Sequence, residues 1–330
     1  SRYEEICELL LNMHEAMPDN DEITHKLSIA FQRINNLGKS LLFASKTLSL
    51  TKNVNDYTSV YSDLYYDLAF KSYNDSAEHI LLTCFENKNI SHQKIYKPWK
   101  TLLENAQQLE KFWEIAQYNS YEEFISKVKT SELIDAFNYQ LLTSGLKLMI
   151  YPSPEFEKIM TFIRRSLLTE YNEEFLASIQ NFLSSLGQHC YYNEYIFEIT
   201  DHELEHLKSL DFSKDHDILL YSCFKPLYEC DAGDSIIKAC STHKNQHLNE
   251  VIQLQLLNPS KEEELKQSIT QLTSIENKIS QTVQAQYEDH PYPRWLYMDK
   301  LKLSDQQKSS SQDRTILITI CGTTKAAIIH

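Results

Sequence analysis

Three places in the sequence gather side chains that could do chemistry. His202, Glu203 and His206 spell HELEH, a formal match to the helical HExxH pattern, in which histidines at i and i+4 hold zinc and the glutamate activates water. Two features argue against that chemistry. A catalytic zinc helix is packed in a core, yet Glu205 stands between the histidines, and Thr200 with Glu203 reads more simply as a capping box at an exposed helix start. A third ligand would have to come from farther along, with Glu229 a candidate. Cys230, Cys240 and His243 form the second cluster, but structural zinc sites use tight C-x2-4-C knuckles, which this chain lacks. The expectation is therefore no metal. The third place is "TILITICGTTKAAII", where a β-branched run ends in a glycine turn and a helix-capable stretch. A strand, tight turn and helix start would open a nucleotide-binding α/β unit, with backbone amides facing the ligand.

The elements that must position these groups are mostly helical. Only 5 glycines and 8 prolines in 330 residues leave few tight turns, and 42% hydrophobic residues can fill substantial cores in two or three domains. A formal charge of -14, with no cluster of Lys and Arg among aromatics, excludes nucleic acid as a partner. No apolar run approaches the roughly 20 residues of a membrane span, and no signal peptide is evident. Seven cysteines without a CxxC pair fit a reducing compartment, so the expected location is cytoplasmic.

Residues 1–90 carry a faint repeat of about 34 residues. It pairs Leu27 with Tyr61, Ser28 with Ser62 and Phe31 with Tyr65, the large, small and aromatic positions of a tetratricopeptide first helix. Residues 91–286 continue as an all-helical middle region. Ser153 and Pro154 start a helix that places Phe156, Ile159, Met160, Ile163 and Leu167 on one face, with Arg164 and Arg165 at or near its solvent edge. Two helices then meet at "YYNEYIF". A stripe from Leu265 through Ile269, Leu272, Ile275, Ile279 and Val283 to Tyr287 predicts a long helix with one buried face. Residues 287–314 form a stiff strap, "YEDHPYPRW", stiffened by Pro291 and Pro293, followed by a polar linker; residues 315–330 hold the strand and turn.

Taken in order, "SIENKISQTVQAQYEDHPYPRW", the polar linker and "ILITICGTT" resemble the tetratricopeptide-containing, class I S-adenosylmethionine-dependent methyltransferases, with their QYEENPYPRW-like strap and ILIAGCGTG-like first motif. "PEFEKIMTFIRRSLL" and "QHCYYNEYIFEITDHE" resemble two earlier segments of that family, so the likeness spans nearly the whole chain. The resemblance implies a mainly α fold of tetratricopeptide-like hairpins and a further helical bundle, leading into one C-terminal β-strand that begins a Rossmann-like domain. It implies cofactor contacts from Cys321, Gly322 and Thr323 in the turn and from Tyr287, Tyr292, Arg294 and Trp295 in the strap. Of the three motif glycines only Gly322 is kept; Ile320 and Thr324 stand at the other two positions.

The resulting expectation is the helical portion of such a methyltransferase, truncated within the first β-α element. It would not be catalytically competent as this chain, and S-adenosylmethionine would belong to a full-length parent and not to this chain. The alternative is a stand-alone α-solenoid scaffold that holds a protein or peptide on its helical face.

Overall fold

A computed structural model of the chain describes residues 2–233, 236–237, 245–268, 282–283 and 297. Its helices are α1 (Arg2–Ala16), α2 (Asp21–Arg33), α3 (Leu37–Leu50), α4 (Val54–Tyr65), α5 (Asp75–Glu86), α6 (Tyr96–Leu103) and α7 (Glu110–Glu114). They continue as α8 (Tyr121–Lys127), α9 (Ile134–Phe137), α10 (Gln140–Leu146), α11 (Pro154–Thr169), α12 (Glu173–Ser178) and α13 (Gln180–Tyr192). Last come α14 (Asp201–Leu207), α15 (Asp215–Ser222), α16 (Gln246–Ile252) and α17 (Asn258–Ser268). The protein is mainly α, with no strand among the described residues. The strand expected at 315–320 lies outside them.

Short polar side chains set many of the starts. Asn20 accepts the Ile23 amide at 3.0 Å, Asn74 the Ala77 amide at 2.8 Å and Asn172 the Phe175 amide at 2.9 Å, each satisfying a donor the helix leaves open. Between residues 90 and 150 the helical pattern breaks into short α and 3-10 segments rather than long helices. Caps such as Ser120, which accepts the Glu123 amide, restart the chain at new angles.

The period-34 positions all face inward: Leu27, Ser28, Phe31, Tyr61, Ser62 and Tyr65 are buried. Helices α2 and α4 start at residues 21 and 54, but α3 and α5 start at 37 and 75, so the second hairpin has the longer connection. Ser40 on α3 donates to the Ser28 carbonyl at 2.7 Å and shares a 2.8 Å hydrogen bond with the Tyr65 hydroxyl, tying three helices together. Cys7, Leu10, Ile23, Leu27, Phe31 and Phe43 form a small core at the amino terminus, while one large core runs from Leu41 to Leu256.

Two glycines permit close helix approach within that core. A side chain at Gly145 would collide with the indole of Trp99, whose Nε1 donates to the Leu141 carbonyl at 2.8 Å. A side chain at Gly187 on α13 would collide with Ser222 at the end of α15. Between α16 and α17 the chain makes a π-helical turn over Gln253–Leu257 that seats Gln255 in the core. Its amide nitrogen donates to the Gly187 carbonyl at 3.0 Å and its oxygen accepts the Leu227 amide at 3.1 Å.

The long stripe starting at Leu265 was expected to bury a face. Where it is described, it lies on the surface: Leu265 is 52% exposed and Val283 43%. The rest of that stripe lies outside the described residues. Among the described residues, no helix is long and apolar enough to cross a membrane.

Candidate functional site

Helix α11 begins as the sequence predicts, with Pro154 in its first turn and Ser153 accepting the Phe156 amide; Phe156, Ile159, Met160, Ile163 and Leu167 are buried. The expectation that Arg164 and Arg165 lie at or near its solvent edge fails for Arg164, while Arg165 is half-buried. Arg164 is 0% exposed. One of its terminal nitrogens donates to the Cys223 carbonyl at 3.0 Å; the other donates to those of Glu198 at 2.7 Å and Phe197 at 3.4 Å. Its guanidinium lies 4.3 Å from the ring centre of Phe224 and 5.6 Å from that of Phe197. Among the described residues no carboxylate pairs with it, so carbonyl dipoles and ring faces carry the balance of its charge. Arginine suits this role because its planar fork spreads five donors over a weakly hydrated cation.

Neighbouring Arg165 faces a different partner. Its Nε lies 3.3 Å from Glu203 Oε2, and its guanidinium sits 5.0 Å from the Tyr121 ring centre. Glu203 is fully buried. It accepts the Thr200 amide at 2.8 Å and the Thr200 hydroxyl at 2.7 Å, while its own amide donates to the Thr200 hydroxyl oxygen. The capping box read from the sequence is therefore present, with Asp201 and His202 exposed at this helix start and Glu203 itself buried. A glutamate held in this way is not free to activate water.

The turn between α13 and α14 brings these groups together. Glu194 and Tyr195 take positive φ values of 59° and 56° in succession, a conformation that costs free energy in residues other than glycine. The Tyr195 amide donates to the Cys190 carbonyl at 2.8 Å, and the Tyr195 hydroxyl donates to the Ser222 carbonyl at 3.1 Å. Held at both ends, the turn delivers the Phe197 and Glu198 carbonyls to Arg164. Nothing in "YYNEYIF" announces this conformation, because no glycine marks it.

Helix α14 also walls a cleft of 780 Å³. Leu204, Leu207, Phe212 and Tyr221 give it an apolar and aromatic lining, and Asp201, Glu205, Glu229, Asp231, Lys208 and Lys225 bring charge to it. Phe212 meets Tyr221 edge-on at 5.3 Å. Cys230 also lines the cleft, and burial pushes its thiol up, with nearby Asp231 adding to the shift. Burial likewise pushes the Tyr221 hydroxyl up to about 12, assisted by Cys230, Glu229 and Asp231. Both groups stay protonated near neutral pH, which suits binding better than nucleophilic attack. His202 and His206 stand on α14 with their Nε2 atoms 3.3 Å apart.

The other residues predicted to hold a cofactor, Tyr287, Tyr292, Arg294, Trp295, Cys321, Gly322 and Thr323, lie outside the described residues, as do Cys240 and His243. Tyr297, two positions beyond Trp295, is described. Its ring packs edge-on against His92 at 5.2 Å. His92 is itself buried behind α5, with Nε2 3.1 Å from the Cys84 carbonyl. No family model matches this chain, and neither a curated protein nor a solved structure does.

Proposed function

We propose that these helices are the amino-terminal helical portion of a class I S-adenosylmethionine-dependent methyltransferase. The observation that carries the reading is a meeting of two segments. "PEFEKIMTFIRRSLL" and "QHCYYNEYIFEITDHE" resemble that family separately, and they pack against each other through Arg164 on the Phe197 and Glu198 carbonyls and Arg165 on Glu203. Residues from both segments thus serve one junction. The catalytic domain supplies the cofactor, since methyl transfer depends on aligning acceptor and methyl group across a complete site.

A second reading, an α-solenoid protein-interaction scaffold, is favoured by the hairpins α2–α3 and α4–α5, whose small residues Ser28 and Ser62 are buried at the repeat spacing. Reading the transcript past the codon for His330 separates the two. Further β-α units, with an acidic residue closing the second strand, are expected; a stop codon at that point would favour the scaffold.

A further inference from the structure

The HELEH segment carries two imidazoles that are hydrogen-bonded to each other. Glu203 is turned inward to Thr200 and Arg165, while His202 is exposed and His206 half-buried on the outer side of α14. Residues four apart share one helix face. The two Nε2 atoms are 3.3 Å apart, with ring centres 4.5 Å apart and planes at 69°. At that distance the two rings share a hydrogen bond, one nitrogen donating and the other accepting according to tautomer. Two imidazole nitrogens each about 2.0–2.1 Å from one tetrahedral metal ion stand about 3.3–3.4 Å apart. A bound ion would therefore replace that hydrogen bond at nearly the same nitrogen spacing, after the rings turn to aim both nitrogens at it.

We propose that His202 and His206 form a two-nitrogen site for a divalent transition ion of the zinc, nickel and copper class, with water completing its coordination. The backbone that presents them is fixed in advance. The capping box starts α14, Glu203 and Leu207 anchor it in the core, and only side-chain rotation is needed to admit the ion. Glu205 supplies no third ligand in this arrangement, because its carboxylate meets Lys208 Nζ at 2.6 Å. Among the described residues no group of three or more His, Cys, Asp or Glu gathers to hold a metal, so the ion keeps open positions. This is a surface site and not a protease centre: the glutamate of the motif is buried away from it. Imidazole nitrogen sets the selectivity, with copper above nickel and zinc, and magnesium and calcium excluded because they take oxygen ligands.

The test is calorimetric titration of the full chain and of its His202→Ala and His206→Ala variants with copper(II), zinc(II) and magnesium(II) chlorides. Circular dichroism checks that each variant keeps its helices, as substitutions on this outer face should allow. The expected result is one copper- and zinc-binding equivalent present in the parent chain and lost in each single variant, with no magnesium uptake at that site. Equal stoichiometry and affinity for copper and zinc in all three proteins would overturn the proposal, as would a parent chain that takes up neither ion.

Discussion

The Arg164 guanidinium lies 4.3 Å from the centre of the Phe224 ring and donates to the carbonyl of Cys223, the residue immediately before it. One side chain on α11 thereby fixes the end of α15, and through Glu198 and Phe197 it fixes the turn into α14 as well. An arginine with no carboxylate partner among the described residues holds three segments together.

Replacing Arg164 should therefore be among the costliest single changes in the chain. Arg164→Ala removes three hydrogen bonds, strands buried carbonyls and opens a cavity; the expected loss is about 3–5 kcal/mol, with each hydrogen bond to a charged group worth roughly 1.5–3 kcal/mol. Arg164→Lys should recover little, since a point charge on a flexible stem cannot span three carbonyls. Urea denaturation followed by circular dichroism measures both. A loss under about 1 kcal/mol for Arg164→Ala would show that the junction is not held this way.

The second junction is separable from the first. Thr200→Ala should cost about 1 kcal/mol through loss of the cap, and Glu203→Ala more, because it removes the cap acceptor and leaves Arg165 facing a buried void. Glu203→Ala and Arg165→Ala should be non-additive by roughly 0.5–3 kcal/mol in a double-mutant cycle, as residues in contact are. Strict additivity would contradict the Arg165–Glu203 contact.

Acid should weaken the fold before carboxylates dominate. His189 on α13 is fully buried, with Nδ1 3.3 Å from the Met149 carbonyl; burial lowers its pKa to about 4, against a smaller upward push from that carbonyl. Above about 6.5 both folded and unfolded states hold it neutral, and its contribution is complete. As pH falls from about 6.5 to about 4 the unfolded chain takes the proton and the folded chain does not, so stability drains away, then levels below about 4. A shift of that size corresponds to about 3 kcal/mol. His189→Gln should flatten this part of a stability-versus-pH curve measured by denaturation at each pH. An unchanged slope between those values in the variant would refute the assignment.

Much of the helical framework was legible from local pattern. Ser153 and Pro154 marked the start of α11, the stripe from Phe156 to Leu167 marked its buried face, and Thr200 with Glu203 marked the start of α14. Each signal lies within one or two turns of the helix it specifies. The burial of Arg164 was not legible, because it falls between Ile163 and Leu167 without belonging to the apolar stripe, and its acceptors come from residues 197, 198 and 223, remote in sequence. Their arrival depends on two left-handed residues, Glu194 and Tyr195, in a turn without glycine. The cleft beside α14 was hidden for a similar reason. Its lining comes from α14, α15 and the segments that follow them, and no periodicity links them. Between residues 90 and 150 the sequence shows helical character but not its division into short segments, since the caps that divide them are single polar residues.

Close packing at α13 gives a further test. Gly187→Ala should cost about 1–3 kcal/mol, because its new methyl group collides with Ser222, and Ser222→Gly in the same chain should recover part of the loss. Thermal unfolding reads both. A neutral Gly187→Ala would mean that α13 and α15 do not approach this closely.

The proposal that these helices serve a methyltransferase is tested by calorimetric titration of S-adenosylmethionine into two polypeptides, this chain and the product of its whole natural reading frame. Saturable binding by the product of the whole frame, and none by residues 1–330 alone, is the predicted result. Absence of binding in both, or equal binding in both, would contradict it.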